Sequence, residues 1–181
     1  MSRTLYLMRH AEASSFAASD VNRPLSRHGR KQASQMGAML AGAKVGLAMV
    51  SPAARTRETF ARMRLHGPDG AETPVQVVDD LYGAGTSTLL QAIGAAPQEA
   101  QVLLVLAHAP GIPTLAAQLR WAGTGNEADL HAGFSTATAA GFSVDCEWDE
   151  LAGFDAFAYA DPAAPHDCPV TPLGAPLSPT V

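Results

Sequence analysis

Val102-Leu103-Leu104-Val105-Leu106-Ala107 is an unbroken apolar run that stops at His108 and is followed by the chain-breaking pair Pro110-Gly111. A run of that length, apolar at every position and bounded by turn signals, fits a strand covered on both faces, as in the middle of a parallel sheet. Upstream of it, Leu5 to Met8 and Val45 to Val50 are further apolar runs, and Val75 to Val78 reads as a further strand. Between these runs the apolar period changes to that of a helix. Ala33, Met36, Gly37, Leu40 and Ala41 follow Ser26, a cap candidate; Ala53 to Met63 follow Pro52, suited to a helix opening; Thr88 to Ile93 form a shorter helix. Downstream, Ile112, Leu115, Ala116 and Leu119 share a helical face ending near Gly123, and Phe134 to Val144 and Phe154 to Tyr159 read as two further strands. Alternation of strand and helix predicts an α/β fold, a three-layer sandwich with a mostly parallel mixed sheet and helices on both faces.

A chain of 181 residues, 47% hydrophobic and 16% charged, suits one buried core. We assign residues 1–160 to that domain. Residues 161–181 contain Pro162, Pro165, Pro169, Pro172, Pro176 and Pro179 and read as an extended or disordered tail outside the packed fold. No apolar stretch is long enough to span a bilayer, and no signal peptide is visible, so the expectation is a cytoplasmic protein without a membrane partner. Cys146 and Cys168 fit no metal spacing and are expected to remain thiols in that compartment. The net charge of −5 removes the electrostatic basis for tight nucleic-acid binding, so any cationic site must be local.

Ligand sites in open α/β sheets lie beyond the carboxyl ends of the strands. Arg9 and His10 follow the first strand, Arg55 the second, and His108 the fourth. Two arginines and two histidines gathered there form a pocket for a phosphoryl group, because guanidinium forks bind phosphate oxygens through paired N–H donors. A neutral imidazole whose other nitrogen is held by an acceptor is a nucleophile toward phosphorus, the part given to His10. His108, protonated by the phosphate charge, would stabilise the transition state.

Leu7-Met8-Arg9-His10-Ala11-Glu12-Ala13 resembles the Arg-His-Gly signature of the histidine phosphatase, or phosphoglycerate-mutase-like, superfamily. Asp20 with Arg23-Pro24-Leu25-Ser26 and Gly29, and Val50-Ser51-Pro52 with Arg55 and Thr59, resemble the short phosphohistidine phosphatases of the SixA type. Leu106-Ala107-His108-Ala109-Pro110-Gly111 is similar to the family's Gly-His-Asn-Pro segment, and the resemblance runs from about Leu5 to Tyr159. It implies a phosphoglycerate-mutase-like fold and hydrolysis through phosphorylated His10. Arg9 and Arg55 would hold the phosphate and His108 would complete the pocket, with no metal or cofactor. The chain departs from the pattern at Ala11, Ala107 and Ala109, all small replacements, and in the general acid, where a family Glu is replaced by Asp79-Asp80-Leu81-Tyr82-Gly83.

Asp80 is the acid candidate of that segment, with a solvated pair Asp79-Asp80 as its plain alternative, and Asp20 is a second carboxylate that could reach the site. A missing acid favours nitrogen-linked phosphate, because imidazole can leave neutral whereas an alkoxide needs a proton. Arg23 either reaches substrate or pairs with Asp20 to hold a loop, and Ser51 either binds phosphate or serves the turn. Arg57, His28, His66, His131 and His166 read as surface residues, and Met36, Met39, Met49 and Met63 as core. The expected function is a monomeric phosphohistidine phosphatase whose partner is a phosphohistidine-bearing protein. A phosphatase of small phosphate esters and a phosphate-binding module that has lost catalysis are the alternatives.

Overall fold

β4 (Val102–Ala107) sends Leu103, Val105 and Ala107 into one apolar layer and Leu104 and Leu106 into the other. β1 (Arg3–Arg9) divides in the same way, with Leu5 and Leu7 opposite Met8. Successive side chains of a strand face opposite sides of the sheet, so strands apolar at every position need cover on both. α1 (Arg27–Leu40) and α2 (Ala54–Met63) cover one face. α3 (Thr86–Gly94), α4 (Gly111–Thr124) and the single turn α5 (Trp148–Leu151) cover the other. The computed structural model describes residues 2–126, 128–129, 133–155 and 168–180.

With β2 (Leu47–Val50), β3 (Val75–Val77), β5 (Ala139–Val144) and β6 (Val170–Pro172), the strand order is β3-β2-β4-β1-β5-β6. β3, β2, β4 and β1 run parallel, whereas β5 pairs antiparallel with β1 and β6 with β5. This is the three-layer α/β sandwich with a mixed sheet that the apolar runs predict. Because β4 lies between β2 and β1, Arg9 pairs with Ala107 and Val50 with Leu106. His10, Ser51 and His108 therefore leave the same end of the sheet side by side.

Ser26 caps α1 as expected, its hydroxyl accepting from the Gly29 N–H at 2.9 Å. Gly29 also lets α1 approach the segment after His10, since a Cβ there would stand 1.9 Å from the Glu12 carbonyl oxygen.

Four expectations need correction. Cys146 and Cys168 form a disulfide rather than remaining thiols. The register explains it: Val144 pairs with Val170, and two residues further along each antiparallel strand the cysteines face each other, with Cα atoms 5.0 Å apart. The C-terminal segment, where described, is extended but packed. β6 joins the sheet, Leu177 bridges to Ala139, and the Thr180 N–H donates to the Gln35 side chain. An edge strand tolerates Pro172, which is why proline content misled. Residues 161–167 and most of the expected strand Phe154 to Tyr159 lie outside the described residues. The strand expected from Phe134 begins only at Ala139, after Ala137 takes a positive φ of 61°. Met39 is 44% exposed, unlike buried Met36, Met49 and Met63. The turn α5 has no periodic signal in so few residues; its Trp148 is fully buried, with the indole N–H on the Ala100 carbonyl.

Candidate active site

His10 continues β1 by one residue, its N–H donating to the Ala107 carbonyl of β4 at 3.1 Å and its carbonyl accepting from Ala137 N–H. Its side-chain partners settle the tautomer. Nδ1 lies 2.7 Å from the Ala11 carbonyl, which can only accept, and Nε2 faces the Arg55 Nε–H at 3.3 Å, which can only donate. The ring is therefore neutral, protonated on Nδ1, with its Nε2 lone pair directed at Arg55. Burial, aided by Arg55, Arg9 and Arg23, pushes His10 down to about 4 against the pull of the Ala11 carbonyl.

Arg55 stands in the first turn of α2, and Thr56, Thr59 and Met63 of the same helix are buried with it. Thr59 accepts from the Ala11 N–H at 3.1 Å and donates to the Arg55 carbonyl, so α2 is bound directly to the segment that carries His10. The guanidinium donates from Nη1 to the Asp20 carbonyl at 2.8 Å and from Nη2 to the Asp20 carboxylate at 3.0 Å. His108 follows β4, with its ring centroid 5.1 Å from that of His10 and its Nε2 2.7 Å from the hydroxyl of Ser51. Gly111 permits this placement, since a Cβ there would stand 2.0 Å from the Ala84 carbonyl oxygen. Burial, then His10 and Arg55, push His108 down to about 3, so it is uncharged at neutral pH unless an anion enters.

The expected residues Arg9, His10, Arg55 and His108 meet at one sheet end. Arg9 donates to the Phe134 carbonyl at 3.1 Å. Its Nε and the Nδ1 of His108 are buried without a partner among the described residues. Ser51 is fully buried behind His108 and reaches the site only through it. Arg23 takes the loop role, donating to the Ser14 carbonyl and to Asp20 Oδ1. Asp80 is exposed, and its carboxylate has no hydrogen-bond partner among the described residues. His28, His66 and Arg57 are exposed as expected, whereas His131 and His166 lie outside the described residues. No group of histidine, cysteine and carboxylate side chains among the described residues could hold a metal.

Two residues complete the wall. The Tyr82 hydroxyl donates to Asp20 Oδ2 at 2.6 Å, and its ring stands edge-on to His108 with centroids 5.5 Å apart. His10, Arg55, Asp20, Tyr82 and His108 thus form a closed ring of contacts around the His10 lone pair. Tyr82 escaped the sequence reading. The available signal was its position just past β3, at the same end of the sheet as the other site residues.

A profile of the histidine phosphatase superfamily (branch 1) matches residues 5–83. A candidate phosphohistidine phosphatase SixA from Nakamurella multipartitia is 30% identical, and its structure superposes with a TM-score of 0.81 over 100% of this chain and 98% of that one. The chain belongs to the histidine phosphatase superfamily, in its SixA-type group. It is a phosphatase. The protein histidine phosphatase SixA complexed with tungstate is 25% identical to this SixA-type chain, with a TM-score of 0.66 over 97% and 96% of the two chains. An uncharacterised protein of Mycobacterium tuberculosis is 30% identical over 112 residues, which cover 60% of this chain and 67% of that one.

Proposed function

We propose that this SixA-type phosphatase removes phosphate from a phosphohistidine of a partner protein, with His10 Nε2 carrying the phosphoryl group between two steps. The tautomer of His10 carries this reading: Nδ1–H is tied to the Ala11 carbonyl, so the lone pair that remains is on the nitrogen facing Arg55 and His108. In the first step Nε2 attacks phosphorus and the bond to the substrate nitrogen breaks, its electron pair staying on the departing imidazole. In the second, water attacks phosphorus and returns Nε2 to its free state. Arg9 and Arg55 hold the equatorial oxygens. His108, with Ser51 behind its Nε2, offers Nδ1–H to a third, and the phosphate charge opposes the burial that otherwise keeps this ring neutral.

The leaving group argues for nitrogen. The carboxylate in the wall, Asp20, is held ionised by its donors and has no proton for an alkoxide. The rim is also open, with the side chain of Asp20 51% exposed and Tyr82 42% exposed, which suits a substrate displayed on another protein. A relative that holds tungstate, a tetrahedral oxyanion, is consistent with the donor set.

The test is a phosphohistidine peptide with the wild type and His10→Ala. Wild type is expected to release phosphate and to acquire an acid-labile phosphoryl label, and the variant to lose both, with turnover falling roughly a thousandfold or more. Full turnover by His10→Ala would overturn the mechanism.

A further inference from the structure

We propose that Asp20 decides the substrate class of this site: its carboxylate accepts the distal N–H of the substrate imidazole and so selects phosphorus bound to nitrogen over phosphorus bound to oxygen. This assignment rests on the phosphohistidine reading above and deepens it.

The geometry sets the carboxylate beside the reacting atoms. One guanidinium bridges it to the nucleophile, with Arg55 Nε on His10 Nε2 at 3.3 Å and Nη2 on Asp20 Oδ2 at 3.0 Å. Tyr82 and Arg23 take further lone pairs at 2.6 and 3.1 Å, and about four acceptor directions on a carboxylate leave one unused. The side chain is half exposed, so an incoming side chain can reach the carboxylate. Tyr82, Arg23 and Arg55 together hold the carboxyl well below the usual carboxylate range, and the group stays an anion throughout the neutral and mildly acidic range.

A fixed anion there acts oppositely on the two leaving groups. Phosphohistidine is most labile with its ring protonated. The distal nitrogen then carries N–H, and cleavage returns the P–N electron pair to the proximal nitrogen, so neutral imidazole leaves without any proton in transit. A carboxylate on that N–H stabilises the protonated ring. An ester ends as an alkoxide, to which an ionised Asp20 supplies no proton and whose growing negative charge it repels.

The experiment measures kcat/KM of wild type and Asp20→Asn on a phosphohistidine peptide and on p-nitrophenyl phosphate, whose leaving group needs no acid, from pH 5 to 8. The variant keeps the shape of the side chain, and Asp20 opens an exposed one-turn helix. Loss of one charged hydrogen bond predicts a fall of about 10- to 100-fold on the peptide, steepest at the alkaline end, and a smaller fall on the aryl phosphate, so that the ratio of the two kcat/KM values shifts about tenfold toward the ester. Equal losses on the two substrates would show that Asp20 merely sets Arg55 and would overturn the assignment, as would an unchanged peptide rate. A wild type that cleaves the aryl phosphate and leaves the peptide intact would overturn the phosphohistidine reading itself.

Discussion

The floor of the site and its rim use polar groups in opposite surroundings. Arg55, His108 and Ser51 are at most 7% exposed and sit on strand ends or a first helical turn, whereas Asp20 and Tyr82 lie on one-turn helices or beside them and are about half exposed. Burial in the floor removes charge, holding both imidazoles neutral. Hydrogen bonding at the rim preserves charge, keeping Asp20 ionised because three donors, Tyr82, Arg23 and Arg55, share its oxygens. In the proposed mechanism the difference separates two tasks: the floor determines whether phosphorus is attacked, and the rim determines what leaves.

Arg55 joins the two, so removing it should have the largest effect. Arg55→Ala cuts the bonds to both His10 and Asp20, and kcat/KM should fall by about 10²- to 10³-fold on either substrate class. Arg55→Lys should recover little, because an ammonium cannot span two partners as a planar fork does. Steady-state kinetics of the two variants would check this, and a loss confined to one substrate would place Arg55 in the rim alone.

Acid should act on the floor and spare the rim. Unfolded imidazoles titrate near 6.5, while folded His10 and His108 titrate near 4 and 3, so the unfolded chain takes up protons first as pH falls. Stability should therefore decline from about pH 6.5 downward, the folding constant dropping about twentyfold between pH 7 and 5 for each imidazole. Asp20 has the opposite sign: its contribution is present above the unfolded carboxyl value and disappears only in much stronger acid, so it is constant across this window. Urea denaturation at the two pH values measures the drop, and His10→Asn should reduce it.

Ser51→Ala sharpens the comparison within the floor. It removes the hydroxyl against His108 Nε2 without touching Arg55, and about a tenfold loss of kcat is expected with KM little changed, the size of one buried hydrogen bond. A larger rise in KM than fall in kcat would make Ser51 a substrate ligand after all.

Much of this was legible locally. An apolar run such as Val102 to Ala107, short and bounded by turn signals, reads as a central strand, and residues just past the ends of parallel strands meet at one edge, which gathers Arg9, His10, Arg55 and His108. Ser26 and Pro52 marked helix starts because capping and ring constraints act within a turn. Asp80, by contrast, stood next to the useful residue in sequence, while Tyr82, two positions on, is the one that turns inward.

The sequence by itself determined the layered α/β architecture and the sheet end that gathers Arg9, His10, Arg55 and His108, because periodicity and chain breaks operate over a few residues. Tertiary structure alone decided three things. The antiparallel register of β5 and β6 set Cys146 opposite Cys168 and drew the proline-rich segment into the sheet. Pairing across 35 residues placed the Asp20 carboxylate on Arg55, and pairing across 62 placed it under the Tyr82 hydroxyl. Burial then fixed the charge of each histidine. All three depend on contacts between segments distant in the chain, which no local pattern records.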